Sequence, residues 1–293
     1  MNISVFITSY NQCGYLREAI ESVLAQTQPA SQIIIVDDAS LDDSPDLIAD
    51  YVRRYPNLIT AIYHKHNTGV AQVRINALKA VRGDYVTYVD GDDWFLPQKL
   101  EKESLALKNT PDVQIAFSNN DYMTEDGTEK VSRWVDGEPV PQGNVFFQTL
   151  GRNFPKRSLF RMELVDYKAW QDIGFHDPAL ALYEDFDMRI RLAKRLKVVY
   201  VDLVLSHIRT HSKGLSKSSH SYHFAALDYL FNKHKRQLGK LPDYQYHQAL
   251  AALAGWIAPM GFKAAKKAVR KGHLVEALRL GLAAVRYRNL SIQ

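Results

Sequence analysis

Three carboxylates lie close together in one short stretch of the chain. Asp90, Asp92 and Asp93 surround Gly91, directly after the apolar, strand-like residues 85–89. Carboxylates this close repel one another unless a cation or several hydrogen-bond donors offset their charge. Such hard oxygen ligands suit Mg²⁺ or Mn²⁺, which can also hold a diphosphate. An acidic turn in solvent is the alternative that this stretch alone leaves open.

Polar side chains also follow two apolar segments nearer the N-terminus. One segment ends in Thr8 and Tyr10, and the next ends in Asp37 and Asp38. The carboxyl ends of parallel strands meet at one edge of a sheet, which is where open α/β sheets bind their ligands. We therefore expect these residues to share one cleft with the acidic stretch.

The elements that must position this cleft alternate between strands and helices. This alternation predicts a mostly parallel sheet with right-handed crossovers. The predicted strands are 3–8, 33–36, 58–63 and 85–89, and the predicted helices are 15–26, 46–54 and 70–81. Neither a G-x-G-x-x-G nor a G-x-x-x-x-G-K-[ST] motif is present, which counts against dinucleotide-binding Rossmann units and P-loop NTPases.

A second acidic pair, Glu184 and Asp185, begins a predicted helix. The helix dipole favours acids at this place, so a structural role is the simple alternative. A carboxylate that points into a cleft can instead remove a proton from an attacking hydroxyl.

The middle of the chain carries weaker patterns. Residues 113–118 and 198–205 read as strands, 154–160 as a return to the sheet, and 161–170 as a helix. Trp134 fits either a sugar-stacking face or a core tryptophan. His64 fits a turn or a surface.

Several motifs in order resemble those of the family 2 glycosyltransferases with the GT-A fold, over roughly residues 1–220. The motifs are SVFITSYN at 4–11, IIVDDAS at 34–40, RIN at 74–76, VDGDDW at 89–94, EDFD at 184–187 and RTH at 209–211. The resemblance implies an α/β fold of the GT-A class, a mostly parallel sheet flanked by helices, with a C-terminal helical extension. It also implies an inverting transfer from a nucleotide-diphosphate sugar, with a UDP-sugar expected first, to a saccharide or lipid-linked acceptor hydroxyl. Cell-surface polysaccharide or glycolipid synthesis is the expected role.

The resemblance assigns roles to individual residues. Asp185 is the expected catalytic base, with Glu184 the second candidate. Asp92 is the expected ligand of Mn²⁺ or Mg²⁺, with Asp90 and His211 as further metal ligands. Tyr10 would stack on the nucleotide base, and Asp38 would accept a hydrogen bond from that base. The full set expected to bind the nucleotide sugar is Thr8, Tyr10, Asp37, Asp38, Arg74, Asp90 and Lys213.

Composition places the chain among soluble globular proteins, with 46% hydrophobic and 24% charged residues. Its one cysteine, Cys13, excludes an internal disulfide and suits a reducing compartment. No signal peptide and no long apolar run are recognisable. We therefore expect a cytoplasmic location.

The C-terminal part is strongly basic. Residues 231–293 contain 12 lysines and arginines against 2 acids, a net charge of +10, which leaves −5 for residues 1–230 out of +5 overall. We expect a catalytic domain over 1–220 and a basic helical region over 221–293, with helices at 222–233, 244–257, 261–269 and 274–287. A cationic amphipathic helix can lie on an anionic membrane surface, here the inner face of the cell membrane. A bundle packed on the catalytic domain, or an oligomer contact, is the alternative.

Other function classes fit the residues less well. A nucleotidyltransferase usually carries a glycine-rich basic loop after its first strand, and residues 8–13 are not such a loop. An inactive nucleotide-sugar-binding protein would not need intact acids at Asp90, Asp92 and Asp185. The basic tail lacks the interleaved aromatic residues on which single-stranded nucleic acids stack, so no nucleic-acid partner is expected.

Overall fold

The computed structural model describes residues 1–211, 218–237 and 244–292, which form an α/β structure. The strands are β1 Ile3–Ser9, β2 Gln32–Asp37, β3 Ile59–Tyr63, β4 Tyr85–Asp90, β5 Trp94–Phe95, β6 Ile115–Met123, β7 Lys130–Arg133, β8 Leu164–Asp166 and β9 Val198–Arg209. The helices are α1 Cys13–Leu24, α2 Ser44–Arg54, α3 Val70–Lys79, α4 Lys99–Asn109, α5 Phe146–Leu150, α6 Tyr167–Ile173, α7 Glu184–Ala193, α8 His220–Gln237, α9 Tyr244–Arg270 and α10 Leu274–Ile292.

The chain divides into two compact units that interleave along the sequence. The sheet unit comprises Met1–Val145, Phe160–Ala179 and Arg191–His211. The helical unit comprises Phe146–Leu159, Leu180–Ile190 and Ser212–Gln293. The nine strands belong to the sheet unit, and α8 to α10 belong to the helical unit. The predicted domain boundary at residue 220 stays a prediction.

One sheet contains all nine strands, in the order β3-β2-β1-β4-β8-β6-β9-β5, with β7 paired to β6. Its first four strands are parallel, as the alternating pattern predicted. Every residue of β1 and β2 is buried, which explains why both read as continuous apolar runs. Helices α1 to α4 and α6 pack against the strands of this unit.

Antiparallel pairing begins beyond β4. Strand β8 pairs antiparallel with both β4 and β6, and β5 pairs antiparallel with the end of β9. In the latter pair Trp94 lies opposite His207 and Phe95 opposite Ser206. The end of β9 is thereby held beside the acidic turn that follows β4.

Two predicted elements around residue 160 are wrong. The helix predicted over 161–170 contains strand β8, and α6 begins only at Tyr167. The Asp166 side chain caps that helix by accepting from the Ala169 amide at 2.8 Å. The segment 154–160, predicted as a strand, contains a 3-10 turn. The short β8 exists because it pairs with distant β4 and β6, which no local periodicity reveals.

In the helical unit, α9 continues through Pro259, although the sequence predicted separate helices on either side. Proline inside a helix costs about 3 kcal/mol. The buried face runs unbroken from Ile257 to Ala264, so packing offsets this cost. A Cβ at Gly261 would lie 2.7 Å from Phe224 and 2.8 Å from Ala284, so glycine lets α8 and α10 approach α9.

Among the helices in the described ranges, none is long and apolar enough to cross a membrane.

Candidate active site

The ends of β1, β2 and β4 meet at one edge of the sheet. Thr8 on β1 lies opposite Asp90 on β4, and Ser9 on β1 lies opposite Asp37 on β2. The polar residues that the sequence grouped into one cleft are therefore neighbours in the sheet unit. These neighbours are Thr8, Asp37, Asp38 and Asp90, together with the acidic turn that follows Asp90.

The loops after β1 and β2 are tied together by hydrogen bonds. The Asn11 amide N–H donates to Ser40 Oγ at 2.9 Å, and the Leu41 amide donates to Asn11 Oδ1 at 2.7 Å. The Cys13 amide donates to Asp42 at 2.9 Å. We call residues 10–13 and 38–42 the linked loops. Tyr10 is 45% exposed on them, which leaves its ring accessible.

Asp37 is buried and holds its own loop. Its carboxylate accepts from the Ser40 amide at 2.9 Å and from Ser40 Oγ at 2.6 Å. It thus supports the linked loops from beneath. Its predicted part in nucleotide-sugar binding stays a prediction.

Asp38 lies at the centre of a buried hydrogen-bond cluster. Its Oδ1 accepts from the Thr68 amide at 2.9 Å and Thr68 Oγ1 at 2.8 Å, and Oδ2 accepts from the Gly69 amide at 2.8 Å. His64 Nδ1 lies 2.7 Å from Asp38 Oδ1, and His64 Nε2 lies 2.8 Å from the side-chain nitrogen Nδ2 of Asn76. His64 is therefore part of this scaffold, and of its two predicted positions, in a turn or on the surface, the surface position is wrong. A direct bond from Asp38 to a base stays a prediction.

The pKa of Asp38 is lowered by this cluster. Burial opposes ionisation, but the hydrogen bonds from His64, Thr68 and Gly69 together outweigh it. The carboxylate form is thereby stabilised in the folded protein.

Replacing Asp38 by Asn should lower the free energy of unfolding at pH 7 by about 1–3 kcal/mol, because an amide cannot accept from every donor that faces it. Because folding lowers the pKa of Asp38, its effect on stability depends on pH. The carboxylate stabilises the fold fully above the pKa of an unfolded aspartate, and this stabilisation is lost as the pH falls through the lower pKa of the folded protein. The gap between wild type and variant should therefore stay constant down to about pH 5 and shrink in stronger acid. Urea unfolding measured across this range tests it, with the exposed Asp112→Asn as control. Equal stability of Asp38→Asn and wild type at pH 7 would contradict the prediction.

Asp90 is neutralised by a cation from α3. Arg74 NH2 lies 2.9 Å from Asp90 Oδ1 and 3.1 Å from Oδ2, and Thr8 Oγ1 donates to Oδ1 at 2.9 Å. The Arg74 guanidinium also lies over the Tyr88 ring, 4.4 Å from its centroid. Arg74 is buried, so it fixes Asp90 at the sheet edge instead of lying on the helix surface.

Asp92 lies next to His211, as the metal prediction requires. His211 Nε2 is 2.7 Å from Asp92 Oδ2, although 119 residues separate them in the chain. The His211 ring centroid is also 5.9 Å from that of Tyr15. A carboxylate and an imidazole are thereby brought together beside Asp90.

These residues suit a divalent cation that is shared with a substrate. No group of three or more His, Cys, Asp or Glu side chains in the described ranges is arranged to hold a metal ion by itself. Mg²⁺ and Mn²⁺ sites commonly use one or two carboxylates and complete their coordination with substrate phosphates and water. Asp92 with His211, and Asp90 nearby, fit that kind of donor set.

Asp93 faces inward, unlike Asp92. It is 5% exposed, and its Oδ1 accepts from the Arg209 amide at 2.8 Å. Burial raises its pKa well above the ordinary value, and the nearby charges of Asp92 and Asp90 add to this effect. Asp93 therefore anchors the acidic turn to the end of β9.

Arg209 completes this anchor, although no role was predicted for it beyond its place in the motif at 209–211. Its Nε donates to the main-chain carbonyl of Asp92 at 3.0 Å, and its guanidinium forms an ion pair with Glu18. The same group lies over the rings of Tyr15 and Trp94, at 4.6 and 4.7 Å. An arginine at the end of a strand, two residues before a candidate metal-binding histidine, was the available signal.

Gly91 is required by a close approach of two chain segments. A Cβ there would lie 2.6 Å from the Thr8 carbonyl oxygen and 2.8 Å from Gln12 Oε1. The Thr8 carbonyl is main chain and cannot move aside cheaply. Gly91 thus lets the turn carrying Asp90 and Asp92 lie against the end of β1.

Gly91→Ala should displace the acidic turn and destabilise the protein by about 1–3 kcal/mol, the usual cost of overpacking. We expect donor affinity to fall as well, because both flanking acids move. Thermal unfolding and calorimetric titration with a nucleotide sugar measure the two effects. Gly14→Ala is the matched control, since nothing lies within 4 Å of a Cβ at that helical position. Equal behaviour of the two variants would contradict this account of Gly91.

Asp185 and Glu184 lie at the first turn of α7, in the helical unit. Asp185 Oδ1 accepts from the Phe186 amide at 2.8 Å, and Oδ2 forms a 2.5 Å ion pair with Arg189. The Asp185 side chain is 31% exposed, whereas Glu184 is buried. Asp187 is fully buried and pairs with Lys233 and His234 of α8, so it is structural.

Trp134 is fully buried, with its ring near Phe117 and Tyr200, so the sugar-stacking interpretation is wrong. Lys213 lies outside the described residues.

The family model described as glycosyl transferase family 2 matches residues 4–167. A putative teichuronic acid biosynthesis glycosyltransferase of Bacillus subtilis, TuaG, is 35% identical over 126 residues, which cover 43% of this chain and 49% of TuaG. The matched stretches span 40% to 62% of the length of the first curated relatives.

Solved structures share the fold at low sequence identity. TarS of S. aureus, in complex with UDP-GlcNAc, superposes with a TM-score of 0.60 at 15% identity, over 98% of this chain and 92% of TarS. The mannosyltransferase PcManGT of Pyrobaculum calidifontis, in complex with GDP-Man and Mn²⁺, gives 0.61 at 16% identity, over 99% and 83%. The predicted GT-A fold is thereby confirmed. Since the family model also covers more than half of the sequence, the chain belongs to glycosyl transferase family 2.

Proposed function

We propose that the chain moves a sugar from a nucleotide-diphosphate sugar to an acceptor hydroxyl with inversion at the anomeric carbon. The observation that carries this proposal is the contact between Asp92 and His211 beside the linked loops, at the sheet edge where α/β folds bind ligands. The accessible Tyr10 ring would stack on the nucleotide base, and Thr8, Arg74 and Asp90 would face the ribose and phosphates. Uridine diphosphate is the expected carrier.

A divalent cation fits Asp92, Asp90 and His211, and when bound it offsets the charge that develops on the departing diphosphate. Other residues of the chain hold these carboxylates in place. Arg74 and Thr8 fix Asp90, while Arg209 and Asp93 fix the turn that presents Asp92. Structural neighbours that carry UDP-GlcNAc, or GDP-Man with Mn²⁺, support both the donor class and the metal.

We assign the base to Asp185. As the acceptor oxygen bonds to the anomeric carbon, its proton passes to the carboxylate and the bond from that carbon to the diphosphate oxygen breaks. A single displacement of this kind inverts the anomeric configuration and needs no covalent enzyme intermediate. The polar cluster around Asp185 holds its carboxylate in one orientation through Arg189 and the Phe186 amide.

The acceptor is proposed to be a saccharide or a lipid-linked saccharide in cell-surface polysaccharide or glycolipid synthesis. The name of TuaG, which places that relative in teichuronic acid biosynthesis, supports this role. A cytoplasmic location of the protein, at the inner face of the cell membrane, belongs to the same proposal.

A panel of UDP- and GDP-sugars with Mn²⁺ or Mg²⁺, with and without simple saccharide acceptors, tests the proposal. We expect metal-dependent release of nucleoside diphosphate with one preferred sugar, and a product of inverted anomeric configuration by NMR. Release of pyrophosphate would identify a nucleotidyltransferase instead. Failure of the folded, metal-loaded protein to bind any nucleotide sugar would refute the proposal.

A further inference from the structure

The α9–α10 hairpin exposes a row of aliphatic side chains. On α10, Leu274, Leu278 and Leu282 recur at every fourth position and are 68%, 65% and 63% exposed. Residues four apart lie on the same side of a helix, so they form a continuous stripe. Val285 extends the stripe and is also exposed.

The stripe is not the face that holds the hairpin together. Ala277, Ala284 and Tyr287 are the buried residues of α10, and α9 is its main packing partner. On α9, Phe262 and Val269 are exposed beside the stripe. Together they line a shallow groove, and its other lining residues are Leu274, Ala277, Leu278, Gly281, Leu282 and Val285. We call this surface the aliphatic face.

Cations flank the aliphatic face. On α9, Lys263, Lys266, Lys267 and Arg270 are exposed, and on α10 Arg279 and Arg286 are exposed. Glu276 is the one acid of the sequence between residues 244 and 292. A surface of this charge is complementary to an anionic partner, and its apolar centre requires that the partner also bury hydrocarbon.

An anionic bilayer meets both requirements. Aliphatic side chains enter the boundary between headgroups and acyl chains, while lysines and arginines lie at the lipid phosphates. A single-stranded nucleic acid would instead call for aromatic stacking surfaces, and the face is almost wholly aliphatic. The apolar segment near residues 251–260 is mostly turned into the hairpin and the neighbouring helix, so the exposed apolar surface lies on α10 and the second half of α9.

We propose that the α9–α10 hairpin binds anionic lipid bilayers peripherally, with the aliphatic face inserted and the flanking lysines and arginines against the headgroups. This property goes beyond sugar transfer and is measured without donor, metal or acceptor. Its failure would therefore leave the proposed activity untouched, and the converse also holds.

Flotation of the full-length protein with vesicles tests the proposal. We expect it to float with phosphatidylcholine vesicles that contain about 30% phosphatidylglycerol, and at least about tenfold less with pure phosphatidylcholine. Binding should weaken at about 0.5 M salt, because the cationic contribution is screened.

Matched variants locate the contact. Leu278→Glu with Leu282→Glu should abolish flotation, whereas Val131→Glu with Leu203→Glu, two exposed aliphatic residues of the sheet unit, should leave it unchanged. Lys266→Glu with Lys267→Glu should lower it at least about tenfold, and Lys108→Glu with Lys130→Glu should not. Circular dichroism confirms that each variant is folded.

Three results would overturn the proposal. The wild type would fail to bind anionic vesicles, or the sheet-unit variants would lose as much binding as the hairpin variants. The third is a concentration-dependent dimer by sedimentation velocity that Leu278→Glu with Leu282→Glu dissociates, without any vesicle binding. That result would identify the aliphatic face as a self-association surface.

Discussion

Asp185→Asn should lower turnover by about 10²–10⁴-fold, the usual contribution of a general base, while donor affinity stays near that of wild type. The amide keeps the shape of the side chain and can still accept from the Phe186 amide, so α7 should remain intact. It cannot take up the acceptor proton. Steady-state kinetics with a saturating acceptor, together with calorimetric titration of the donor, measure both quantities.

Glu184→Gln is the decisive comparison, because Glu184 is the other candidate at the same helix start. If Asp185 is the base, the Glu184 variant should retain most of its turnover, and only Asp185→Asn should lose the acid limb of the pH–rate profile. Full activity of Asp185→Asn, or the reverse pattern between the two variants, would reject the assignment.

Asp92→Asn should weaken metal-dependent donor binding by about 100-fold. Even residues that only hydrogen-bond to metal ligands typically contribute about 10–100-fold to metal affinity. Loss of a direct ligand should therefore have an effect of about 100-fold. The substitution leaves the Arg209 hydrogen bond to the residue 92 carbonyl available, since that bond uses the main chain. Titration of Mn²⁺ by electron paramagnetic resonance, and of nucleotide sugar with and without chelator, gives the result.

A nucleoside monophosphate provides the internal control for this variant. It lacks the diphosphate that would share the metal, so its affinity should be similar in wild type and Asp92→Asn. Unchanged Mn²⁺ affinity in the variant would contradict Asp92 as a metal ligand. Loss of monophosphate binding as well would indicate a displaced pocket.

The first half of the sheet was predictable because its strands can be recognised from local sequence patterns. Strands β1, β2 and β4 are buried apolar runs, and each ends in polar residues at the same edge. Strand β8 was missed because its three residues are defined by partners on β4 and β6. The continuity of α9 was missed because proline predicts a break, whereas the packing on both sides of Pro259 decides the outcome.

The site followed the same division between local and distant information. The proximity of Thr8, Asp37 and Asp90 follows from parallel strands alone. The sequence could not show that Asp38 is surrounded by donors from residues 64–69, or that Arg209 holds the Asp92 carbonyl, since these contacts join segments far apart in the chain. Side-chain burial, which distinguishes Asp93 from Asp92, also emerges only from the packed structure.

The linked loops bear on how donor preference could be changed by design or by evolution. Asn11 bonds to both Ser40 and Leu41, so a replacement of either loop alone would leave unmatched hydrogen-bonding groups in the other. We expect a graft of residues 10–13 from a relative to need residues 38–42 from the same source. The pair would then be inherited as one exchangeable cassette, and single substitutions at Tyr10 would be the simplest route to a new base within an unchanged cassette.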